Sequence, residues 1–135
     1  MKTIFLGGTC GDSTWRKKLI PTLEIDYFDP VVDDWTPECQ EEEIKQRQNC
    51  DFVLYVISPY MQGVYSIAEV VDDSNKRPER TVFCVLQSER EGLNYSCFTK
   101  GEMKSLDAVK KMVKENGATV CDSLEDVAKY LNGSK

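Results

Sequence analysis

Three short apolar runs punctuate the chain. Thr3–Leu6, Phe52–Ile57 and Thr81–Leu86 are nearly continuous stretches of β-branched, aromatic and aliphatic residues, the pattern of strands buried on both faces. They predict the central parallel strands of a sheet. Leu23–Phe28, interrupted by Glu24 and Asp26, and Ala118–Cys121 predict edge strands, where half the side chains meet water. Between these runs lie segments of helical character: Ser13–Leu19, Pro37–Asn49, Ser66–Asn75, Glu102–Asn116 and Ser123–Leu131. Ser123 with Glu125 and Asp126 behind it reads as a helix start, and Asn116-Gly117 as a helix stop.

Five βα units in succession imply right-handed crossovers and a flavodoxin-like, doubly wound α/β fold: a five-stranded parallel sheet in the order 2-1-3-4-5. The 135 residues contain no internal repeat and no low-complexity linker, which suits one domain over residues 1–135. The long irregular segment is Gln87–Gly101, and loops of that length are usually functional.

Composition narrows the chemistry. With 41% hydrophobic and 30% charged residues the chain has the make-up of a globular protein. No apolar run approaches the roughly 20 residues of a membrane helix. Met1–Leu6 is too short for the apolar part of a secretory signal, so the expected location is the cytosol, without membrane contact. There the six scattered cysteines are expected as free thiols. A net charge of −6 disfavours a nucleic-acid polymer as partner. The absence of histidine removes Ser-His-Asp and Cys-His pairs, HExxH zinc sites and imidazole acid/base work together. Carboxylates, hydroxyls, thiols and amines remain, and no metal or cofactor is expected.

In a doubly wound sheet, ligands bind outside the carboxyl ends of the strands where the strand order reverses. That places Gly7–Asp12, Ser58–Tyr65 and the loop from Gln87 together. Gly7, Gly8 and Gly11 would let a ligand approach the backbone. The segment matches neither GxGxxG nor GxxxxGK[ST], and Asp12 would repel a polyphosphate. Glu69, in Gly63-Val64-Tyr65-Ser66-Ile67-Ala68-Glu69, has two readings. With Ser66 it has the spacing of a capping box. Near the switch point it has the place of a nucleophile that attacks an anomeric carbon. Arg16 pairs with Asp12 or, pointing into the site, meets a 5′-phosphate and makes nucleotides the better substrates. Trp15 and Trp35 read as base-stacking or core residues.

Phe5-Leu6-Gly7-Gly8-Thr9, Ser13-Thr14-Trp15-Arg16, Asp29-Pro30-Val31-Val32, Asp34-Trp35-Thr36, Asp51 and Gly63–Glu69 occur in this order over Met1 to about Leu86. Together they resemble the nucleoside 2-deoxyribosyltransferase-like family. The resemblance implies cleavage of an N-glycosidic bond with retention, and a glutamate nucleophile that maps onto Glu69. It also implies an acidic residue serving the departing base, which falls on Glu43, about two helical turns before Asp51. Glu43 also belongs to the charge run Glu41–Glu43, which would otherwise face solvent, and Asp51 reads as a strand start. An aspartate six residues before the nucleophile in such enzymes is Gly63 here, and a tyrosine that orients it is Phe5. Tyr60, Gln62 or Tyr65 would supply substitute polar groups. Asn94 resembles an asparagine that some members donate to a neighbouring subunit's site.

The candidate site is therefore Glu69 and Glu43 as catalytic pair, with Gly7, Gly8, Thr9, Arg16, Tyr60, Gly63, Ser66 and Asn94 around a nucleoside or nucleotide. The function expected is N-glycosidic bond cleavage or transfer. The alternatives are a nucleoside- or nucleotide-binding protein without turnover and an interaction protein in which Glu69 is structural. A homodimer or higher homo-oligomer is expected, with Gln87–Gly101 of one subunit bordering the Glu69 pocket of the other.

Overall fold

The computed structural model describes residues 1–93 and 95–134. Five strands, β1 (Thr3–Gly8), β2 (Asp26–Phe28), β3 (Phe52–Ile57), β4 (Thr81–Val85) and β5 (Thr119–Cys121), form one parallel sheet in the order β2-β1-β3-β4-β5. This is the flavodoxin-like arrangement expected from the βα alternation. Five α-helices connect or follow them: α1 (Trp15–Leu19), α2 (Pro37–Asn49), α3 (Tyr65–Lys76), α4 (Lys100–Glu115) and α5 (Leu124–Asn132).

The period of two along the strands builds two cores. Ile4, Leu6, Leu54, Val56, Val82 and Cys84 face one side, where Trp15 and Leu19 of α1 and Val127 and Leu131 of α5 cover them. Phe5, Val53, Tyr55, Ile57, Phe83 and Val85 face the other, under Val70 of α3 and Leu106 and Val113 of α4. Helix α2 differs, contributing no buried residue to either core. It is started by Thr36, whose hydroxyl accepts the Cys39 N–H at 3.2 Å, and by Pro37 in its first turn.

Element boundaries moved where local chemistry won. Edge strand β2 is shorter than the apolar pattern of Leu23–Phe28, beginning only at Asp26. Helix α4 begins at Lys100 because Thr99 and Glu102 form a capping box, each satisfying the other's backbone N–H. Ser123 caps α5 as expected, accepting the Asp126 N–H at 3.1 Å. Asp51 does open β3, and its carboxylate accepts the Thr3 N–H of β1 at 2.8 Å.

Gly8 is required by the sheet itself. Its φ is +120°, and a Cβ there would fall 2.1 Å from the Val56 carbonyl oxygen of β3. Any side chain would push β1 away from β3 at the edge where the cleft opens. At Gly7 a Cβ would meet the Tyr55 ring at 2.7 Å. Protein atoms of β3 thus require glycine at both positions, whatever binds in the cleft. Among the described residues no helix is long and apolar enough to cross a membrane.

Candidate active site

At the carboxyl ends of β1 and β3 lies an open cleft of about 590 Å³. It is lined by Gly7 and Gly8 at the end of β1, Thr9 after it and Ile57 at the end of β3. Pro30–Asp33 and Trp35 after β2, Glu43 of α2, Met61–Gly63 after β3, and Tyr65, Ser66 and Glu69 in the first turns of α3 also line it. A second hollow of about 290 Å³ continues from it between α2 and α3, sharing Trp35, Glu43, Tyr65 and Glu69 and adding Gln40, Ile44 and Arg47.

The structure brings Gly7, Gly8, Thr9, Arg16, Glu43, Gly63, Ser66 and Glu69 to the one cleft. Tyr60 is not among its lining residues, and Asn94 lies outside the described residues. The aromatic pair divides: Trp15 is fully buried in the core, whereas Trp35 is 59% exposed at the cleft mouth.

Ser66 and Glu69 do not form a capping box. Helix α3 starts one residue before Ser66, with Val64 at the N-cap and no side-chain cap. Ser66 sits inside the first turn, where its hydroxyl is no longer placed to receive the Glu69 N–H. Glu69 instead turns toward α2. Its Oε2 lies 3.4 Å from Nη1 of Arg47. Burial, the largest influence, pushes the Glu69 carboxyl up to about 7, and Glu43 and Asp73 add to this while Arg47 opposes it. Glu43 is likewise raised by burial, against a hydrogen bond from Trp35 and the charges of Arg47 and Arg16. Two carboxyl groups with raised proton affinity thus line one cleft from neighbouring helices.

Arg16 is 8% exposed and braces the loop after β1. Its Nε and Nη2 donate to the Leu6 carbonyl at 3.1 and 2.9 Å, and Nη1 donates to that of Thr9 at 2.7 Å. Its charge is opposed by Asp29, 3.5 Å away, rather than by Asp12. Burial lowers its pKa from the ordinary arginine value. Thr9 is also held by the fold: its N–H donates to Val56 O at 2.8 Å and its Oγ1 accepts the Ser58 N–H at 3.0 Å.

The loop after β4 is tied to its own chain near the carboxyl ends of β1 and β3, and none of its described residues lines the cleft. Glu89 accepts from the Ser13 hydroxyl at 2.7 Å, from the Thr14 N–H at 2.9 Å and from the Ser58 hydroxyl. Phe98 is buried in the α3–α4 core, and Tyr95 points outward.

Sequence reasoning missed the groups behind Glu69. Arg47, Asp73 and Tyr55 form a network in which Asp73, fully buried, meets Arg47 at 3.1 Å, the Tyr55 hydroxyl and Arg77. A signal was present: Glu69 and Asp73, four apart, share one helix face, as do Glu43 and Arg47. The two faces meet only once α2 and α3 are seen side by side.

No grouping of three or more metal-ligating side chains is set to hold an ion among the described residues. Residues 1–88, which carry β1 to β4 and the cleft, match the family model described as nucleoside 2-deoxyribosyltransferase like. No curated protein matches the chain.

Proposed function

The chain belongs to the nucleoside 2-deoxyribosyltransferase-like family, and on that premise we propose that it cleaves or transfers the N-glycosidic bond of a (deoxy)nucleoside through a glycosyl ester of Glu69. The observation that carries the reading is that two proton-binding carboxyl groups, Glu69 and Glu43, line one open cleft at the switch point of the sheet.

The chemistry divides into two displacements. Ionised Glu69 attacks the anomeric carbon, forming the C–O ester bond as the C–N bond breaks. The bonding pair leaves with the base, which takes the proton of Glu43. A second base or a water then attacks the same carbon from the vacated face. Its proton passes to Glu43, and the Glu69 carboxylate departs unchanged, so configuration is retained. Trp35 is exposed enough to stack on the base.

The cleft favours a neutral nucleoside over its 5′-phosphate. Arg16, its cationic side chain, already donates to backbone carbonyls, whereas Asp33, Glu43 and Glu69 bring negative charge. Binding without turnover is the second reading, supported by Phe5 and Gly63 standing where the family's tyrosine and aspartate would be.

Incubating the protein with deoxynucleosides, with and without a free base, separates the readings by chromatography. Base exchange identifies a transferase and base release a hydrolase. A glycosyl adduct on the Glu69 peptide by mass spectrometry supports the ester. Saturable binding with neither product selects the second reading.

A further inference from the structure

Two helices meet beside the cleft through charged side chains. Helix α2 presents Glu43 and Arg47, one turn apart, and α3 presents Glu69 and Asp73, also one turn apart. The Arg47 guanidinium lies between the two acids, with Nη1 at 3.4 Å from Glu69 Oε2 and Nη2 at 3.1 Å from Asp73 Oδ1. Asp72, on the rim, is 3.5 Å from Nη2. Asp73 is fully buried and also holds Arg77, at the C-cap of α3, and the Tyr55 hydroxyl of β3.

We propose that Arg47 is a positioning residue for Glu69: it fixes Oε2 and leaves Oε1 for attack, with Asp73 as its permanent counterion. This rests on the reading of Glu69 as nucleophile. Three observations support it.

First, no described hydrogen bond or ion pair engages Glu69 Oε1, whereas Oε2 faces the guanidinium. The two oxygens are chemically equal until a cation distinguishes them, and the one left without that cation keeps the more available lone pairs.

Second, the charge arithmetic suits a group that changes charge during turnover. Esterification removes the negative charge of Glu69, and a half-buried guanidinium with no other partner would then be stranded. Asp73 prevents this, since it holds Arg47 whether Glu69 is carboxylate or ester. Arg77 and the Tyr55 hydroxyl keep Asp73 itself in place.

Third, α2 has no buried residue to hold it on the sheet. Its position depends on polar ties: Arg47 to the three acids of α3, and Arg80, which donates to the carbonyls of Gln48 and Cys50 at its end. Arg47 therefore also keeps α2, and Glu43 with it, beside α3 and Glu69.

The charged and titratable groups acting on Glu69 are Arg47 and Glu43 from α2, Asp73 from α3 and Tyr55 from β3. Arg47 is the cation among them that touches it, so its removal leaves burial and like charge unopposed.

The test is a titration that needs no substrate. Carbon-13 spectra of glutamate carboxyl-labelled protein, with Glu69→Gln to assign the resonance, give the Glu69 midpoint in the wild type and in Arg47→Met. A rise of one pH unit or more, a tenfold change in acid dissociation, is expected in Arg47→Met. Arg47→Lys should restore part of it, and Lys76→Met, which removes a cation that touches only Asp72, should leave it unchanged. If Arg47→Met does not fold, Arg47→Lys decides, with a midpoint above that of the wild type expected. An unmoved midpoint in a folded Arg47 variant overturns the proposal, as does an equal rise in Lys76→Met. Where the wild type turns over, the acid limb of kcat/KM should move with the midpoint. A wild type without turnover counts against the glycosidic reading alone, because the titration still decides the role of Arg47.

Discussion

The Tyr55 hydroxyl, in the middle of the sheet, donates a 2.5 Å hydrogen bond to Asp73 of α3, tying the central strand to the helix that carries Glu69. Both residues are fully buried. Burial, reinforced by Asp73 and Glu69, drives the Tyr55 hydroxyl to hold its proton far above the ordinary phenol range. Tyr55 is therefore always a donor at accessible pH, and Asp73 always has one neutral partner beside its two arginines.

Tyr55→Phe keeps the ring and deletes only this hydroxyl. Asp73 retains Arg47 and Arg77, so the loss of stability in denaturant melts should be about 1–2 kcal/mol. An unchanged stability would mean that the two arginines alone satisfy Asp73.

Glu69 should write a signature into the pH dependence of stability. Its folded-state value of about 7 lies above the ordinary 4.5, so between these limits the unfolded chain has released a proton that the folded chain still holds. Stability from this group is fully present below the lower limit, falls as pH rises through the window, and is flat above the upper one. The fall should be at most about 3 kcal/mol. In Glu69→Gln this slope should vanish, which melts at pH 4.5, 6 and 7.5 would detect. Ser66→Ala, by contrast, should change stability by less than about 0.5 kcal/mol, because Ser66 caps nothing.

Why some of this was legible in the chain and some not follows from range. The three apolar runs and their flanking helices fixed the sheet, because a strand buried on both faces leaves a local pattern. The boundaries of β2 and α4 depended on edge exposure and on the Thr99–Glu102 cap, a local signal that was there to be seen. Glu69 and Glu43 were reached through resemblance, and the cleft does contain both. The error at Ser66 came from trusting spacing: Ser-x-x-Glu caps a helix only when the serine is the last non-helical residue. Arg47, Tyr55 and Asp73 come from three elements, and no window along the chain holds them together.

Gly63 occupies the place of the family's aspartate, and nothing lies within 4 Å of a Cβ built there. Gly63→Asp should therefore fold with a stability within about 1 kcal/mol of the wild type. If that carboxylate is what a substrate lacks, deoxynucleoside turnover should rise severalfold. Unchanged turnover in a folded Gly63→Asp would show that other groups of the cleft have replaced it.

Assembly is expected through the loop after β4. Tyr95, 62% exposed, is the large side chain this loop turns to solvent, and an aromatic so placed is a common interface anchor. The wild type should sediment as a dimer or larger at micromolar concentration, and Tyr95→Asp should shift it toward monomer. A monomeric wild type would remove the shared-site expectation, and Glu89, pinned to Ser13 and Thr14 of its own chain, would then account for the loop's position.

The choice between nucleoside and nucleotide turns on Arg16. A 5′-phosphate would need a cation free to face it, and the guanidinium instead donates to the Leu6 and Thr9 carbonyls beside Asp29. Releasing those bonds would unbrace the loop that lines the cleft, at a cost of about 1.5–3 kcal/mol for each charge-assisted bond lost. Addition of a dianion near Asp33, Glu43 and Glu69 would add repulsion. A deoxynucleoside should thus bind at least tenfold tighter than its 5′-monophosphate by calorimetry. Arg16→Met should lower the melting temperature and weaken both ligands in similar proportion. Selective loss of the monophosphate in Arg16→Met, with the nucleoside unaffected, would instead mean that the guanidinium leaves its carbonyls to meet the phosphate.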